Sequence, residues 1–350
     1  MAKTIQVGDK SIGAGAPVFV IAEAGVNHNG DLEMAKRLID VAIKAGADAV
    51  KFQTFKAETL VTPTAPKAEY QTQTTPVDES QVEMLRKLEL SNEDHDELSA
   101  YCRRTGILFL STPFDEDSAD LLDALSVPLF KISSGDLTNT PLLEHVAKKR
   151  KPVILSTGMA DLAEVRDAVE TLNAAGCDEV VLLHCVSDYP ADPADVNLRA
   201  IQTLRKTFNL PVGFSDHTQG LEVALAAAAL GASVIEKHFT LDRNLPGPDH
   251  RASLEPDELI KFVSGIRTIE SSLGSGEKVP TAREIETAKV ARRSIVATQT
   301  IPDGTIVERN MIAAKRPGTG LPPARVNSIV GRKTRIEIPV GTLLTLDMFE

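Results

Sequence analysis

Two histidines stand at the ends of successive apolar runs, His217 in "GFSDHTQG" and His238 in "VIEKHFT". If those runs are neighbouring strands, their backbones lie about 4.8 Å apart and the two imidazoles reach one ion. Side chains two apart in a strand share a face, so Ser215 accompanies His217 and Glu236 accompanies His238. A lone histidine is more often a hydrogen-bonded core residue. A pair at matched strand ends, with a carboxylate two residues before the second, points instead to a shared metal. Imidazole ligands favour manganese, iron, cobalt or zinc over magnesium or calcium. Two protein ligands leave positions for water and a substrate oxygen, as Lewis-acid catalysis requires.

Lys51 and Lys131 follow the same parity, each filling a polar slot in an apolar strand, between Val50 and Phe52 and between Phe130 and Ile132. A buried ammonium without an anion is expensive. Its partner is either an internal carboxylate, with Glu23 and Glu236 as candidates, or the carboxylate or phosphate of a ligand. Hydroxyls at Thr112, Ser134, Ser156 and Ser215 favour the ligand. Other residues carry less chemistry. Cys185 ends a strand but has no evident base partner, and "LGSGEK" has the wrong spacing for a phosphate loop. His28 in "GVNHNGD" either touches substrate or caps a loop, and His95 in a charged helix reads as a surface residue.

The elements that must position these groups alternate regularly. Short β-branched runs begin at Pro17, Ala47, Ile107, Val127, Pro152, Glu179, Pro211 and Ser233, and helical periodicity marks segments such as 32–46, 161–176 and 255–271. Ser91 and Asp94 have capping-box spacing, and Gly46 and Gly176 sit where helices end. Eight strand-helix units, with no dinucleotide fingerprint after the first strand, predict an α/β (β/α)8 TIM barrel over 1–273 rather than an open doubly wound sheet. Active sites of such barrels lie at the C-terminal strand ends, which are polar here. A linker over 274–283 precedes a small β-rich domain at 284–350. Within that domain "IPDGTIVERNMI" is echoed 37 residues later by "IPVGTLLTLDMF", which predicts two similar hairpin-like units.

Composition sets the outer limits. A formal net charge of −11 argues against nucleic-acid binding. Three cysteines without a CxxC argue against a disulfide framework or zinc knuckle. The start "MAKTIQVGDKSIG" lacks an apolar signal core, and "VALAAAALGASVI" is too short to span a bilayer. The expectation is a cytoplasmic protein without a membrane segment.

In order along the chain, "IAEAGVNHNGD", "AVKFQTF", "FLSTPFD", "FKISSGD", "ILSTGMA", "LLHCVSDYP", "GFSDHTQG", "IEKHFTLD", "PGPDHRASLEP" and "AAKRPGTGL" resemble the sialic acid synthases, which condense phosphoenolpyruvate with an N-acetylated amino sugar. The resemblance covers nearly the whole chain and implies a barrel followed by a SAF (antifreeze-like) domain. It implies manganese ligands at His217 and His238. Phosphoenolpyruvate contacts are implied at Lys51, Thr112, Lys131, Ser134, Ser156 and Ser215, and positions around the sugar and reacting carbons at Glu23, Gln53, Tyr189 and Asp249. Arg316 resembles an arginine carried over the partner subunit's barrel mouth in a domain-swapped homodimer, where it touches the acetamido group. Ser187 stands where some members have Asn beside the phosphate, and Asp136 where some have Glu. Glu23 is the candidate for steering a sugar hydroxyl or managing a proton, or is a counter-ion to Lys51. The implied acceptor is N-acetylmannosamine, with 2,4-diacetamido-2,4,6-trideoxymannose, the route to legionaminic acid, as the alternative. Two readings from other classes remain: a Schiff-base aldolase using Lys51 or Lys131, and a non-catalytic binding module.

Overall fold

The computed structural model describes residues 3–72, 74–76 and 78–350. The chain forms two units, one running to Gly274 and one covering Ser275–Glu350. The first begins with an antiparallel hairpin, β1 (Ile5–Val7) and β2 (Lys10–Ile12), which the sequence analysis did not anticipate. Eight strands follow: β3 (Phe19–Gly25), β4 (Ala49–Thr54), β5 (Leu108–Pro113), β6 (Phe130–Ile132), β7 (Val153–Ser156), β8 (Val180–Cys185), β9 (Val212–Asp216) and β10 (Val234–His238). They pair in parallel in the order β5-β4-β3-β10-β9-β8-β7-β6, so consecutive strands are neighbours and β10 returns to β3. The two end strands β5 and β6 lie side by side and bring the barrel near closure. This is the predicted eight-stranded TIM-like architecture.

Helices fill the connections: α1 (Leu32–Ala45), α2 (Ala57–Leu60), α3 (Glu69–Thr72), α4 (Gln81–Arg86), α5 (Asn92–Thr105), α6 (Glu116–Ala124), α7 (Thr140–Ala147), α8 (Leu162–Ala174), α9 (Ala200–Phe208), α10 (Glu222–Ala229) and α11 (Pro256–Leu273). Sequence punctuation is realised: Ser91 and Asp94 form the capping box of α5, and Gly46 closes α1 in the left-handed conformation. Gly176 follows the Ala175 cap of α8 with φ 104°. None of the described helices is long and apolar enough to cross a membrane.

Strand parity decides where each side chain goes. One set, including Val20, Ala22, Val50, Phe52, Leu155, Leu182 and Phe214, packs outward against the helices. The alternate set points into the barrel, where Phe19, Ile21, Ala49, Leu110, Leu129, Ile154, Val181, Leu183 and Val234 form a core with Ile5, Val7 and Ile12 of the hairpin. Followed toward the C-terminal ends, the same inward rows turn polar: Ile21 to Glu23, Ala49 to Lys51 and Gln53, Leu110 to Thr112, Leu129 to Lys131, Ile154 to Ser156, and Val234 to Glu236 and His238. The barrel is therefore filled at one end and open to chemistry at the other.

The second unit carries α12 (Ala282–Ala291), capped by a Thr281/Glu284 box, where the sequence reading placed the end of a linker and a β domain. Strands β11 (Ser294–Ala297) and β12 (Ile312–Lys315) pair antiparallel. The repeat is realised: Ile301 and Ile338 exchange backbone hydrogen bonds of 2.8 Å, and Gly304 and Gly341 adopt matching φ of 73° and 84°. Val307 and Leu344, and Ile312 and Phe349, fill equivalent places in one core.

Candidate active site

At the polar end of the barrel lies a cavity of about 360 Å³. It is lined by Glu23, Lys51, Gln53, Thr112, Lys131, Ser134, Ser156, Ser187, Tyr189, Ser215, His217, Glu236, His238 and Asp249, all expected from the sequence. Glu236 sits opposite Ser215 in the β10–β9 ladder, so the positions that follow by parity bring His238 beside His217. The β3–β4 register shifts between Glu23 and Gly25, where Gly25 has φ 52°. A Cβ on Gly25 would lie 3.3 Å from Glu23 Oε1 and 3.5 Å from Gln53 Nε2, so glycine leaves both side chains room at the cavity floor.

Four charges alternate in the centre. Lys51 Nζ lies 2.7 Å from Glu23 Oε2 and 3.7 Å from Glu236 Oε2, and donates to Thr112 Oγ1 at 3.0 Å. Lys131 Nζ lies 3.4 Å from Glu236 Oε1, which also accepts from Ser215 Oγ at 2.9 Å. The internal ion pairs considered for both lysines are thus present. Burial pushes Glu23 up from 4.5 to about 7, against the pull of Lys51 and with help from Glu236. Burial would also raise Glu236, but Lys131, Lys51 and the Ser215 hydroxyl outweigh it and hold Glu236 at about 2. Two carboxyls whose pKa values are driven apart divide the labour of proton exchange and fixed charge. Burial opposes the charge of Lys51, yet Glu23 and Glu236 overcome it and raise its pKa. Burial prevails at Lys131, aided by Lys51 against the pull of Glu236, and lowers it. With Glu23 protonated, Lys51 and Lys131 face the single carboxylate of Glu236, an arrangement suited to an anion.

The His217 and His238 ring centroids are 5.5 Å apart. His217 Nδ1 faces the Val186 carbonyl at 2.7 Å, an arrangement that fixes the tautomer and leaves Nε2 with a free lone pair. His238 Nδ1 is buried without a hydrogen-bond partner, 3.8 Å from Asp249 Oδ2. Burial, His217 and Lys51 push the His238 pKa well down, and Asp249 is pushed up to about 6 by burial. A neutral imidazole with an unused, buried nitrogen fits a borderline cation. Among the described residues no three His, Cys, Asp or Glu side chains converge as ligands, so a cation held by this pair would need further ligands from outside the protein. Cys185 Sγ lies 3.7 Å from His217 Nδ1, a proximity the sequence did not reveal.

Opposite the histidines, Ser134 Oγ accepts from the Gly158 N–H at 2.9 Å. A Cβ on Gly158 would lie 2.4 Å from Ser187 Oγ and 2.8 Å from Ser134 Oγ. Only glycine lets these two hydroxyls converge. Ser156 Oγ is buried and unpartnered beside them. The result is a set of small donors suited to anion oxygens.

Asp136, expected from the sequence, does not join this set. Asp136 accepts from Ser133 Oγ at 2.6 Å and Asn139 Nδ2 at 3.2 Å and braces that loop outside the cavity lining. Arg316 lies in the second unit, exposed immediately after β12. His95 is a correction: it is 1% exposed, because Thr54 Oγ1 bonds its Nε2 at 2.9 Å from the facing strand. His28 is buried and its Nδ1 accepts from the Gly30 N–H at 3.0 Å, the loop-capping alternative. The sequence reading missed Tyr70, whose ring lies 5.0 Å from that of Tyr189, itself 4.1 Å from His217. It also missed Lys237 and Asp216, a fully buried pair at 2.7 Å on the opposite strand face. Matched charges in neighbouring strands at outward parity were the available signal.

Comparison with known proteins matches residues 38–278 to the NeuB family and residues 292–350 to the SAF domain. The chain is 50% identical to N,N'-diacetyllegionaminic acid synthase of Legionella pneumophila over 98% of both sequences. It is 39% identical to N-acetylneuraminate-9-phosphate synthase of Homo sapiens, over 93% of this chain and 91% of that one. Among solved structures, the N-acetylneuraminic acid synthetase of Leptospira borgpetersenii in complex with citrate superposes with a TM-score of 0.74 at 39% identity, covering 82% of this chain and 95% of that one.

Proposed function

Because the chain belongs to the NeuB family of nonulosonic acid synthases and carries a SAF domain, we propose that it condenses phosphoenolpyruvate with an N-acetylated amino sugar and water, giving a nonulosonic acid and phosphate. The observation that carries this reading is the buried Lys51, Lys131, Glu23 and Glu236 network beside the histidine pair in one cavity. Of the two acceptors considered from the sequence, the diacetamido-trideoxyhexose is favoured over N-acetylmannosamine, since relatives from two bacteria named as N,N'-diacetyllegionaminic acid synthases are 50% and 49% identical to this chain.

In this reading the lysines neutralise the phosphoenolpyruvate anion, while Thr112, Ser134, Ser156, Ser187 and Ser215 hold its oxygens. Carbon 3 of the enol attacks the aldehyde carbon of the open-chain sugar, and Glu23, with a pKa near neutrality, is placed to give or take the proton at the new hydroxyl. Positive charge develops at carbon 2, where Glu236, ionised at any working pH, is the fixed counter-charge. Water adds at carbon 2, and collapse expels phosphate with cleavage of the carbon–oxygen bond. A divalent cation, manganese by the family resemblance, would be held by His217 and His238 and would polarise the sugar carbonyl oxygen. Gln53, Tyr189 and Asp249 surround the acceptor. Arg316 reaches the acetamido group from a partner subunit in a domain-swapped homodimer. Mixing Arg316→Ala and His217→Ala chains should restore activity if the arginine acts across the interface.

Incubation with phosphoenolpyruvate, Mn²⁺ and an acceptor should release phosphate and a 2-keto-3-deoxy acid in equal amounts. Sugar-independent phosphate release would count against the proposal. Lys131, whose pKa burial lowers, is the lysine a Schiff-base aldolase would use. Borohydride with pyruvate should leave it unmodified.

A further inference from the structure

The cavity has two unlike sides. Across β6 to β9 it is lined by Lys131 and serine hydroxyls, whereas beyond the ends of β3, β4 and β5 it is lined by Val26, Leu60, Val61, Leu85 and Phe114, with Gln71 and Gln81 as the polar side chains of the same connection. The apolar side belongs to a separate small cluster whose interior is Val26, Phe55, Met84 and Leu88. Most of that cluster comes from the long connection between β4 and α5, which contains α2, α3 and α4. Lys67 ties the connection together, pairing with Glu79 at 3.1 Å and donating to Thr75 Oγ1 at 3.0 Å and the Pro76 carbonyl at 2.8 Å. The same connection sets Tyr70 against Tyr189 and so reaches the histidine pair.

Leu60 and Leu85 pack against this satellite core, Val61 follows Leu60, and all three keep part of their surface open to the cavity, whereas Met84 and Leu88 are buried. Among the described lining residues the lysines are Lys51 and Lys131, both committed to carboxylates in the polar centre. Among the described lining residues no lysine or arginine stands on the apolar side. A hydroxymethyl group set against Leu60, Val61 and Leu85 would lose hydrogen bonds to water, and a phosphate there would lie without a counter-ion.

We propose that the wall formed by Leu60, Val61 and Leu85 selects the acceptor, taking the end of an amino sugar that carries a methyl and an acylamino group and rejecting a phosphorylated one. The inference rests on the reading that this site condenses phosphoenolpyruvate with an acylated amino sugar, and it assigns the choice among such sugars to one segment of the chain.

The test is kcat/KM of the full-length enzyme for 2,4-diacetamido-2,4,6-trideoxymannose, N-acetylmannosamine and N-acetylmannosamine 6-phosphate. The trideoxy sugar should exceed N-acetylmannosamine by roughly 10- to 200-fold, the range one such group commands in an apolar pocket, with the phosphorylated sugar last. Leu85→Gln and the near-isosteric Val61→Thr should each narrow the first ratio by about tenfold while leaving KM for phosphoenolpyruvate unchanged. Equal or better use of N-acetylmannosamine by the unmodified enzyme would overturn the inference and leave the condensation reading standing. So would variants that stay active, or lose activity equally on every sugar, with the ratio unaltered. Failure to condense any acceptor would remove the catalytic reading itself, and the inference with it.

Discussion

Replacing Lys131 with Met keeps most of the apolar stem on β6 and deletes one charge from the buried network. Lys131 Nζ is 3.4 Å from Glu236 Oε1 and Lys51 Nζ is 3.7 Å from Oε2. At an effective dielectric of about 20 these separations correspond to roughly 5 and 4 kcal/mol of attraction. Glu236 therefore loses about half its cationic field, keeps the Ser215 hydroxyl at 2.9 Å, and should protonate more readily. Because Lys51 remains, the stability loss should fall near the low end for breaking a buried pair, about 3 kcal/mol. The loss in anion binding should be larger in its consequence: truncating one partner of a buried charge pair removes about 2 to 5 kcal/mol, a fall in kcat/KM for phosphoenolpyruvate of roughly 30- to 4000-fold. Steady-state phosphate release at saturating acceptor measures the second effect and chemical denaturation the first. A destabilised enzyme with unchanged phosphoenolpyruvate kinetics would refute the reasoning and assign Lys131 to structure alone.

Three further outcomes follow from the geometry. His217→Ala or His238→Ala should abolish activity and most manganese binding, read by elemental analysis, while the fold persists; full activity after exhaustive chelation would contradict the pair's assignment. Gly158→Ala places a methyl 2.4 Å from Ser187 Oγ, which should destabilise by about 1 to 3 kcal/mol and raise KM for phosphoenolpyruvate more than for the sugar; a neutral substitution would show that the serine cradle is not used. Glu23 has a folded pKa raised from 4.5 to about 7, so its contribution to stability is fully present below pH 4.5 and is lost as pH rises through 7, by about 3 kcal/mol. Glu23→Gln, read by denaturation across that window, should flatten the decline.

The legible part of this chain was the part governed by parity. Alternation places Ile21 and Glu23, or Val234, Glu236 and His238, on one inward face, so both the strand count and the polar ring could be read from short segments. The connection between β4 and α5 escaped because α2, α3 and α4 are only 4, 4 and 6 residues long. Helices so short are held by tertiary contacts and leave no periodic signal. His95 was misplaced for a related reason: its neighbours Asn92, Glu93, Asp94 and Asp96 on α5 look solvated, while its partner Thr54 lies on β4, 41 residues away. The pair Lys237–Asp216 shows the converse, a charge at outward parity that reads as exposed until the helix layer covers it. Convergence of Ser134, Gly158 and Ser187 depends on three separate strand-to-helix loops, and no spacing in the chain encodes it.

The central claim is that carbon 2 of phosphoenolpyruvate, and not phosphorus, is the atom that water meets in this site. Phosphoenolpyruvate labelled with heavy oxygen at the bridging position, incubated with the enzyme, Mn²⁺ and 2,4-diacetamido-2,4,6-trideoxymannose, tests it directly by mass spectrometry of the products. The account predicts label in the released phosphate, release that requires the sugar, and an unlabelled ulosonic acid in equal amount. Unlabelled phosphate, with the heavy oxygen retained on the carbon product, would contradict it.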